Sequence, residues 1–213
     1  MPRRKAVPRP RLQRLDHEAR RLQLLALGRA AFQSRSYDEV SVEELARKAG
    51  ISGGLFYYYF PTKRHLYVAG IEQTAAELVS KLAGVKHQDV SPRERATLGV
   101  DGYLAFVEGQ HSGFVALMRG GVGSDPEVAA VVERVRVAIL DEFLEGAPIS
   151  KVLSARPMAR IAIRSWIGLV EAASLEWLTT RNVPRESVRD LLVDALFDML
   201  GHVLAPRDAR RYR

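Results

Sequence analysis

Five consecutive aromatic residues, Phe56 to Phe60, stand close before a basic trio, Lys63, Arg64 and His65. On a helix Phe56 and Phe60 share one face, so the three tyrosines between them must turn toward other faces and expose some of their hydroxyls. A phenol hydroxyl suits phosphate oxygens and base edges. Cations in the first turn of a helix oppose the helix dipole unless an anion binds there. The pattern therefore predicts a contact surface for nucleic acid.

Two short helices are predicted to position this surface. Ser41 and Glu44 have the spacing of a capping box, so a helix begins directly after Ser41. Gly50 supplies the left-handed residue that ends it. Ser52 is placed to cap the next helix, which Pro61 limits to about two turns. Two short helices around a glycine-containing turn predict a helix-turn-helix.

The rest of the sequence is helical in pattern, and we expect an all-α fold of about nine helices with no strand. Residues 1–15 are rich in proline and arginine and read as a flexible basic arm. Residues 16–66 form the helix-turn-helix head. Residues 67–205 form a helical-bundle body, and residues 206–213 a basic tail.

Charge is distributed unevenly along the chain. Residues 1–65 carry 14 Lys and Arg against 6 Asp and Glu, whereas residues 66–213 carry 18 against 19. Such asymmetry is typical of a protein that binds a polyanion, either nucleic acid or an anionic membrane surface. No apolar stretch is long enough to span a membrane, and the absence of cysteine fits a reducing compartment. We therefore expect a cytoplasmic protein with no membrane partner.

Catalytic and metal-binding patterns are weak. The five histidines are scattered without ligand spacing. The glycine-rich segment 120–123 lacks the Lys-Ser/Thr pair of a phosphate-binding loop. We expect no catalytic residue, no metal and no cofactor, which disfavours a helical enzyme with a nucleic-acid-binding arm. A basic protein that binds anionic membranes is the other alternative.

The segment from about Arg20 to Leu66 resembles the DNA-binding domain of TetR-family regulators. The resemblance rests on the order and spacing of Leu24, Leu25, Phe32, Tyr37, Ser41, Val42, Leu45, Ala46, Ala49, Gly50, Ile51, Ser52, Gly54, Phe56, Tyr57, Tyr58, Tyr59, Phe60 and Lys63. It implies a three-helix DNA-binding head and a six-helix body for ligand binding and dimerisation. It also implies DNA contacts at Ser41, Ser52, Gly53, Leu55, Tyr57, Tyr58, Tyr59 and Lys63.

A regulator of this type is expected to bind operator DNA as a homodimer, with its recognition helices in successive major grooves. It is expected to act as a repressor that a small apolar effector releases. An activator, or a ligand-independent DNA-organising protein on the same fold, is the alternative.

Two further sets of body residues are candidates for these roles. Aromatic and sulfur-containing side chains at helical spacing are predicted to line an effector pocket: Tyr103, Phe106, Phe114, Met118, Phe143 and Trp166. The last two helices carry apolar residues on more than one face, which predicts that a partner chain covers one of the faces. The dimer seam is expected at Ser165, Gly168, Leu169, Ala172, Leu196 and Leu200.

Overall fold

The computed structural model describes residues 17–84, 90–118, 125–146 and 156–204, with the side chains of 142–146 left out. In these segments there are nine helices and no strand, which confirms the all-α fold. They are α1 (His17–Ser34), α2 (Val42–Ala49), α3 (Gly53–Tyr59), α4 (Lys63–Ala83), α5 (Pro92–Gly109), α6 (His111–Ala116), α7 (Pro126–Gly146), α8 (Pro157–Thr180) and α9 (Arg185–Leu204). The basic arm, the glycine-rich segment 120–123 and the basic tail lie outside the described residues.

The two short helices of the head begin and end where the caps predict. The Ser41 hydroxyl accepts the Glu44 N–H at 3.3 Å, and the Ser52 hydroxyl accepts the Leu55 N–H at 3.2 Å. Gly50 closes α2 with a φ of 69°, a conformation in which a side chain would be strained. These local contacts set the angle between α2 and α3, so the helix-turn-helix is determined largely by nearby residues.

Glu44 differs from its expected role in a capping box. Its carboxylate pairs with Arg35 at 2.6 Å and Lys48 at 2.7 Å, rather than turning back to the Ser41 N–H. Hydrogen bonds from Arg35 and then Lys48 lower the pKa of Glu44 to about 2. The carboxylate therefore joins the end of α1 to α2, because the guanidinium of Arg35 offers a stronger, charge-assisted hydrogen bond than a backbone amide.

Helix α4 belongs to two hydrophobic cores. Leu66, near its start, is fully buried among head residues such as Leu45 and Phe56. Leu78, three turns further on, is buried with body residues such as Leu104. The boundary expected between residues 66 and 67 therefore falls inside a continuous helix, and one rigid rod connects the head to the body.

The body covers two faces of its last helix without help from a partner. Helix α9 packs against α5 as well as α8. Leu196 is 2% exposed and Leu200 is 8% exposed, and both lie in the body core. Their expected place in the dimer seam is wrong, because the expectation that one core cannot cover both faces overlooked α5.

Gly28 marks the close packing of α1 on α4. A β-carbon at this position would lie 2.7 Å from Cδ2 of Leu66, which is itself fully buried. We expect Gly28→Ala to lower the free energy of unfolding by about 1 kcal/mol, because overpacking outweighs the better helix propensity of alanine. Urea denaturation followed by circular dichroism measures the change.

Gly102 of α5 is the matched control for this substitution, since a β-carbon there meets no atom within 4 Å. Gly102→Ala is expected to raise the free energy of unfolding by roughly 0.5–1 kcal/mol. Stabilisation by both substitutions would contradict the close packing of α1 on α4.

Candidate nucleic-acid interface and internal cavity

Helix α3 presents one apolar face inward and a hydroxyl-bearing face outward. Phe56 is fully buried in the head core, and Phe60 is buried just after the helix ends, as the spacing predicted. Tyr58 is 68% exposed, and Tyr57 and Leu55 are exposed beside it. These three side chains form the outer surface of α3, where they are free to meet phosphates or base edges.

The remaining predicted DNA-contact residues of the helix-turn-helix are less free than Tyr58. Tyr59 is half-buried, with its ring centroid 4.8 Å from that of His17. The hydroxyls of Ser41 and Ser52 each accept a backbone N–H of the helix they cap. Gly53 has open space where a β-carbon would project. Tyr59 therefore supports the recognition surface from behind, and the open side at Gly53 allows close approach to the start of α3.

Lys63 is half-buried and contacts backbone carbonyls of its own chain. Its ammonium donates to the carbonyl oxygens of Tyr37 at 2.8 Å and Val40 at 3.1 Å. It also lies 4.4 Å from the centroid of the Tyr37 ring, a cation–π distance. In the structure these contacts hold the connection between α1 and α2, and the expected contact of Lys63 with the DNA backbone stays a prediction.

Arg64 likewise faces the body. Its guanidinium donates to both carboxylate oxygens of Asp125, at 2.7 and 2.6 Å, and to Glu127 at 2.8 Å. Asp125 also accepts the Glu127 N–H at 2.9 Å and so caps α7, and the hydrogen bond from Arg64 holds its pKa below the usual range. Of the basic trio, Lys63 and Arg64 are half-buried and His65 is exposed. At the expected phosphate site at the start of α4, two of the three basic side chains therefore already pair with other groups of the protein.

An apolar cavity of about 390 Å³ lies along α4. One stripe of that helix lines it, consisting of Tyr67, Gly70, Ile71, Thr74, Ala75, Leu78, Val79, Leu82 and Ala83. At a rise of 1.5 Å per residue, the stripe from Tyr67 to Ala83 is about 24 Å long. The cavity is therefore a channel.

The channel extends from the head to the far end of the body. Phe32, Gln33 and Tyr37 of the head contribute to its lining, as do Pro92 at the start of α5 and Leu200 near the end of α9. Five of the predicted pocket residues line it, namely Tyr103, Phe106, Phe114, Met118 and Trp166. The side chain of Phe143 lies outside the described residues.

Sequence reasoning missed the α4 stripe and the charged residues of the lining, which are Arg29, Arg35, Arg95 and Glu171. The stripe follows helical spacing and was readable, but it was indistinguishable from an ordinary core face. Glu171 accepts hydrogen bonds from Nε and Nη2 of Arg136 at 2.8 and 2.7 Å. Burial raises the pKa of the neighbouring Tyr103 well above its usual range. No sequence motif marks this pairing, because the two charges come from different helices.

Four of the predicted seam residues lie on the outer face of α8. Ser165, Leu169 and Ala172 are exposed, and Gly168 is half-buried between them. Ile161, which is 57% exposed, and Met158 continue the same face toward the start of the helix. We call these six residues the α8 stripe. It is apolar or small throughout, so a second helix can approach it closely.

The described segments contain neither a membrane-spanning helix nor a metal-binding cluster. None of their helices is long and apolar enough to cross a membrane. Their His, Asp and Glu side chains form no group of three that could hold a metal ion.

Several known proteins are similar to this chain. The HTH-type transcriptional activator FasR of Mycolicibacterium smegmatis is 27% identical over 191 residues, which cover 89% of this chain and 87% of FasR. The crystal structure of a tetR-family transcriptional regulator from Streptomyces coelicolor is 32% identical with a TM-score of 0.75, covering 89% of this chain and 83% of that one. FadR of Bacillus subtilis, solved in complex with stearoyl-CoA, shares the fold at 13% identity and a TM-score of 0.66, covering 82% of this chain and 96% of FadR.

Two family models match separate parts of the chain. Residues 24–70 match the model described as bacterial regulatory proteins, tetR family, which spans the helix-turn-helix and the start of α4. Residues 92–199 match the model described as Tetracyclin repressor-like, C-terminal domain, which spans the body from α5 into α9. Together with the exposed face of α3, these matches identify the chain as a DNA-binding transcriptional regulator of the TetR family.

Proposed function

We propose that this regulator is a homodimer that binds an operator and responds to an effector with one long aliphatic chain. The observation that carries the effector class is the shape of the channel. A volume of 390 Å³ that extends along the α4 stripe is narrow and admits one extended chain more readily than a fused ring system. The stearoyl-CoA bound to the structurally similar FadR contains a chain of this kind, which supports the proposal.

The response is proposed to reach DNA through residues that the head contributes to the channel. Phe32 and Tyr67 have ring centroids 4.9 Å apart and both line it, so an occupant at this end contacts α1 directly. Since α4 is shared by the two cores, a displacement there moves the head relative to the body. An effector that favours the displaced form shifts the population away from DNA. This predicts that effector binding releases the regulator from its operator. If the protein is an activator, transcription should instead depend on the effector.

The channel predicts sensitivity to chain length. The operator is first selected from genomic fragments by binding. The affinity of the regulator for it is expected to fall when palmitoyl-CoA is added. Octanoyl-CoA is expected to be at least about tenfold less effective, because its shorter chain buries less apolar area. Fluorescence anisotropy of the labelled operator measures both.

A variant with a filled channel tests whether this response arises there. Gly99 of α5 lines the channel, and a β-carbon at this position meets no atom within 4 Å. Gly99→Leu should retain operator binding and lose the palmitoyl-CoA response, whereas Gly102→Leu, off the channel on the same helix, should retain both. An undiminished response of Gly99→Leu would rule out the channel as the effector site.

Tyr58 and Lys63 are expected to differ in how their loss affects the head. Tyr58→Phe removes an exposed hydroxyl and should weaken binding to all DNA sequences about equally, with no change in unfolding. Lys63→Ala removes the ammonium that donates hydrogen bonds to the Tyr37 and Val40 carbonyl oxygens. This substitution should lower the free energy of unfolding by about 1–3 kcal/mol. Thermal denaturation and salt-dependent anisotropy measure the two effects.

A direct phosphate contact by Lys63 would give another result. In that case Lys63→Ala would leave unfolding unchanged, and the salt slope of binding would fall by about one.

The α8 stripe is proposed as the dimer seam, because an isologous contact of two such faces buries apolar surface from both chains. Ala172→Arg places a cation at its centre and should yield a monomer or aggregate that no longer binds the operator, since one half-site is too weak. Leu98→Arg changes an exposed leucine of α5, outside the stripe, and should leave the dimer intact. A stable Ala172→Arg dimer in analytical ultracentrifugation would show that the seam lies elsewhere.

A further inference from the structure

We propose that Glu171, beside the buried Tyr103, forms a hydrogen-bonding station in the channel that selects an effector with a neutral donor, a hydroxyl or amide N–H, partway along its aliphatic chain. The inference rests on the proposed function of the channel as the effector site. It adds a polar requirement to that function, since a plain hydrocarbon chain has no use for a charged residue in the wall.

Ion pairs between α4 and α7 show where along the channel this station lies. Arg64 pairs with Asp125 at the start of both helices, and Glu72 pairs with Arg134 further along at 3.0 Å. The two helices therefore run side by side in the same direction. Arg136, the partner of Glu171, lies just beyond Arg134 and so at about the level of Thr74. The station is consequently well inside the channel, between its head end and the end of the α4 stripe.

The ion pair of Glu171 with Arg136 is costly where it stands. Their side chains are only 16% and 20% exposed, and the surrounding lining is largely aliphatic, with Ile167, Val170 and Val135 nearby. Desolvating two charges costs free energy that a well-packed apolar pair would not. Arg136 also donates to the exposed Glu133 at 3.3 Å, but a wall built only to hold hydrocarbon needs no carboxylate at Glu171, which indicates that this group has a use in binding.

Glu171 retains capacity to accept further hydrogen bonds. An ionised carboxylate has about four acceptor sites, and the two hydrogen bonds from Arg136 occupy only two of them. Tyr103, which lines the channel beside it, is buried and hydrogen-bonds Ser174. Trp166 adds no donor for an effector, because its N–H already donates to the Leu192 carbonyl at 2.8 Å. The polar group that Glu171 offers at this level is therefore a negatively charged hydrogen-bond acceptor.

This chemistry decides which effector groups suit the station. A carboxylate or phosphate placed there would be repelled by Glu171 in a low-dielectric surrounding. A methylene group would displace water from Glu171 without replacing its hydrogen bonds. A hydroxyl or an amide N–H donates to the carboxylate and restores a charge-assisted hydrogen bond. The station therefore favours a mid-chain donor and places the anionic end of the effector elsewhere.

Oleic and ricinoleic acids are suitable probes, because they share a chain and a double bond and differ by one mid-chain hydroxyl. Isothermal titration calorimetry of the full-length regulator is expected to give ricinoleic acid about tenfold higher affinity than oleic acid, the ratio for one hydrogen bond to a charged group. Competition with palmitoyl-CoA for the same protein shows that both acids occupy the channel.

A double variant tests whether the station produces this ratio. Removing only one partner leaves a buried charge, so Arg136→Met is combined with Glu171→Leu to keep the fold. The ratio of the two affinities should then fall to within about twofold, while oleic acid binds as well as before or better. The matched control removes the Arg–Glu pair on the outer side of α4 and α7, as Arg134→Met with Glu72→Leu, and should keep the tenfold ratio.

Each outcome bears on the proposal. Equal binding of the two acids to the unaltered protein overturns the station but leaves the channel as the effector site. A preference for ricinoleic acid that survives in the double variant of Arg136 and Glu171 also overturns it. Binding of neither acid, together with no effect of palmitoyl-CoA, overturns the proposed effector class and the station with it.

Discussion

The burial of α4 in two hydrophobic cores is the constraint on which the rest of the structure depends. Leu66 fills the head core against Gly28, and Leu78 fills the body core, with continuous helix between them. Breaking the helix would expose backbone polar groups and separate the cores, so the head cannot move independently of α4. One face of α4, from Tyr67 to Ala83, also lines the channel.

Arginine side chains hold the head against the neighbouring helices. Arg29 of α1 pairs with Glu77 of α4 at 2.6 Å, and Arg64 joins the start of α4 to the start of α7. Planar, bidentate contacts of this kind hold two helices in one orientation better than a lysine would. The positive charge of the first third of the chain therefore has two uses. Part of it stabilises the head internally, and the remainder is available for DNA.

Local sequence determined the helix-turn-helix itself. Ser41, Gly50 and Ser52 fix their helix ends through contacts within a few residues, and the four-residue spacing of Phe56 and Phe60 assigns the faces of α3. Such contacts are readable because the chain brings these groups together whatever the rest of the protein does. The outer face of α8 was also foreseen, since its small and apolar residues recur at helical spacing.

Only the tertiary structure decided how distant residues are used. The charges of Lys63 and Arg64 predict a phosphate site, but a sequence does not show that carbonyls of the α1–α2 connection and the carboxylate of Asp125 lie within reach of them. Leu196 and Leu200 looked like seam residues because the position of α5 cannot be read from α9. The pairing of Glu171 with Arg136 could not be predicted for the same reason. Which charges are neutralised and which apolar faces are covered depends on contacts between helices far apart in sequence, and only packing creates them.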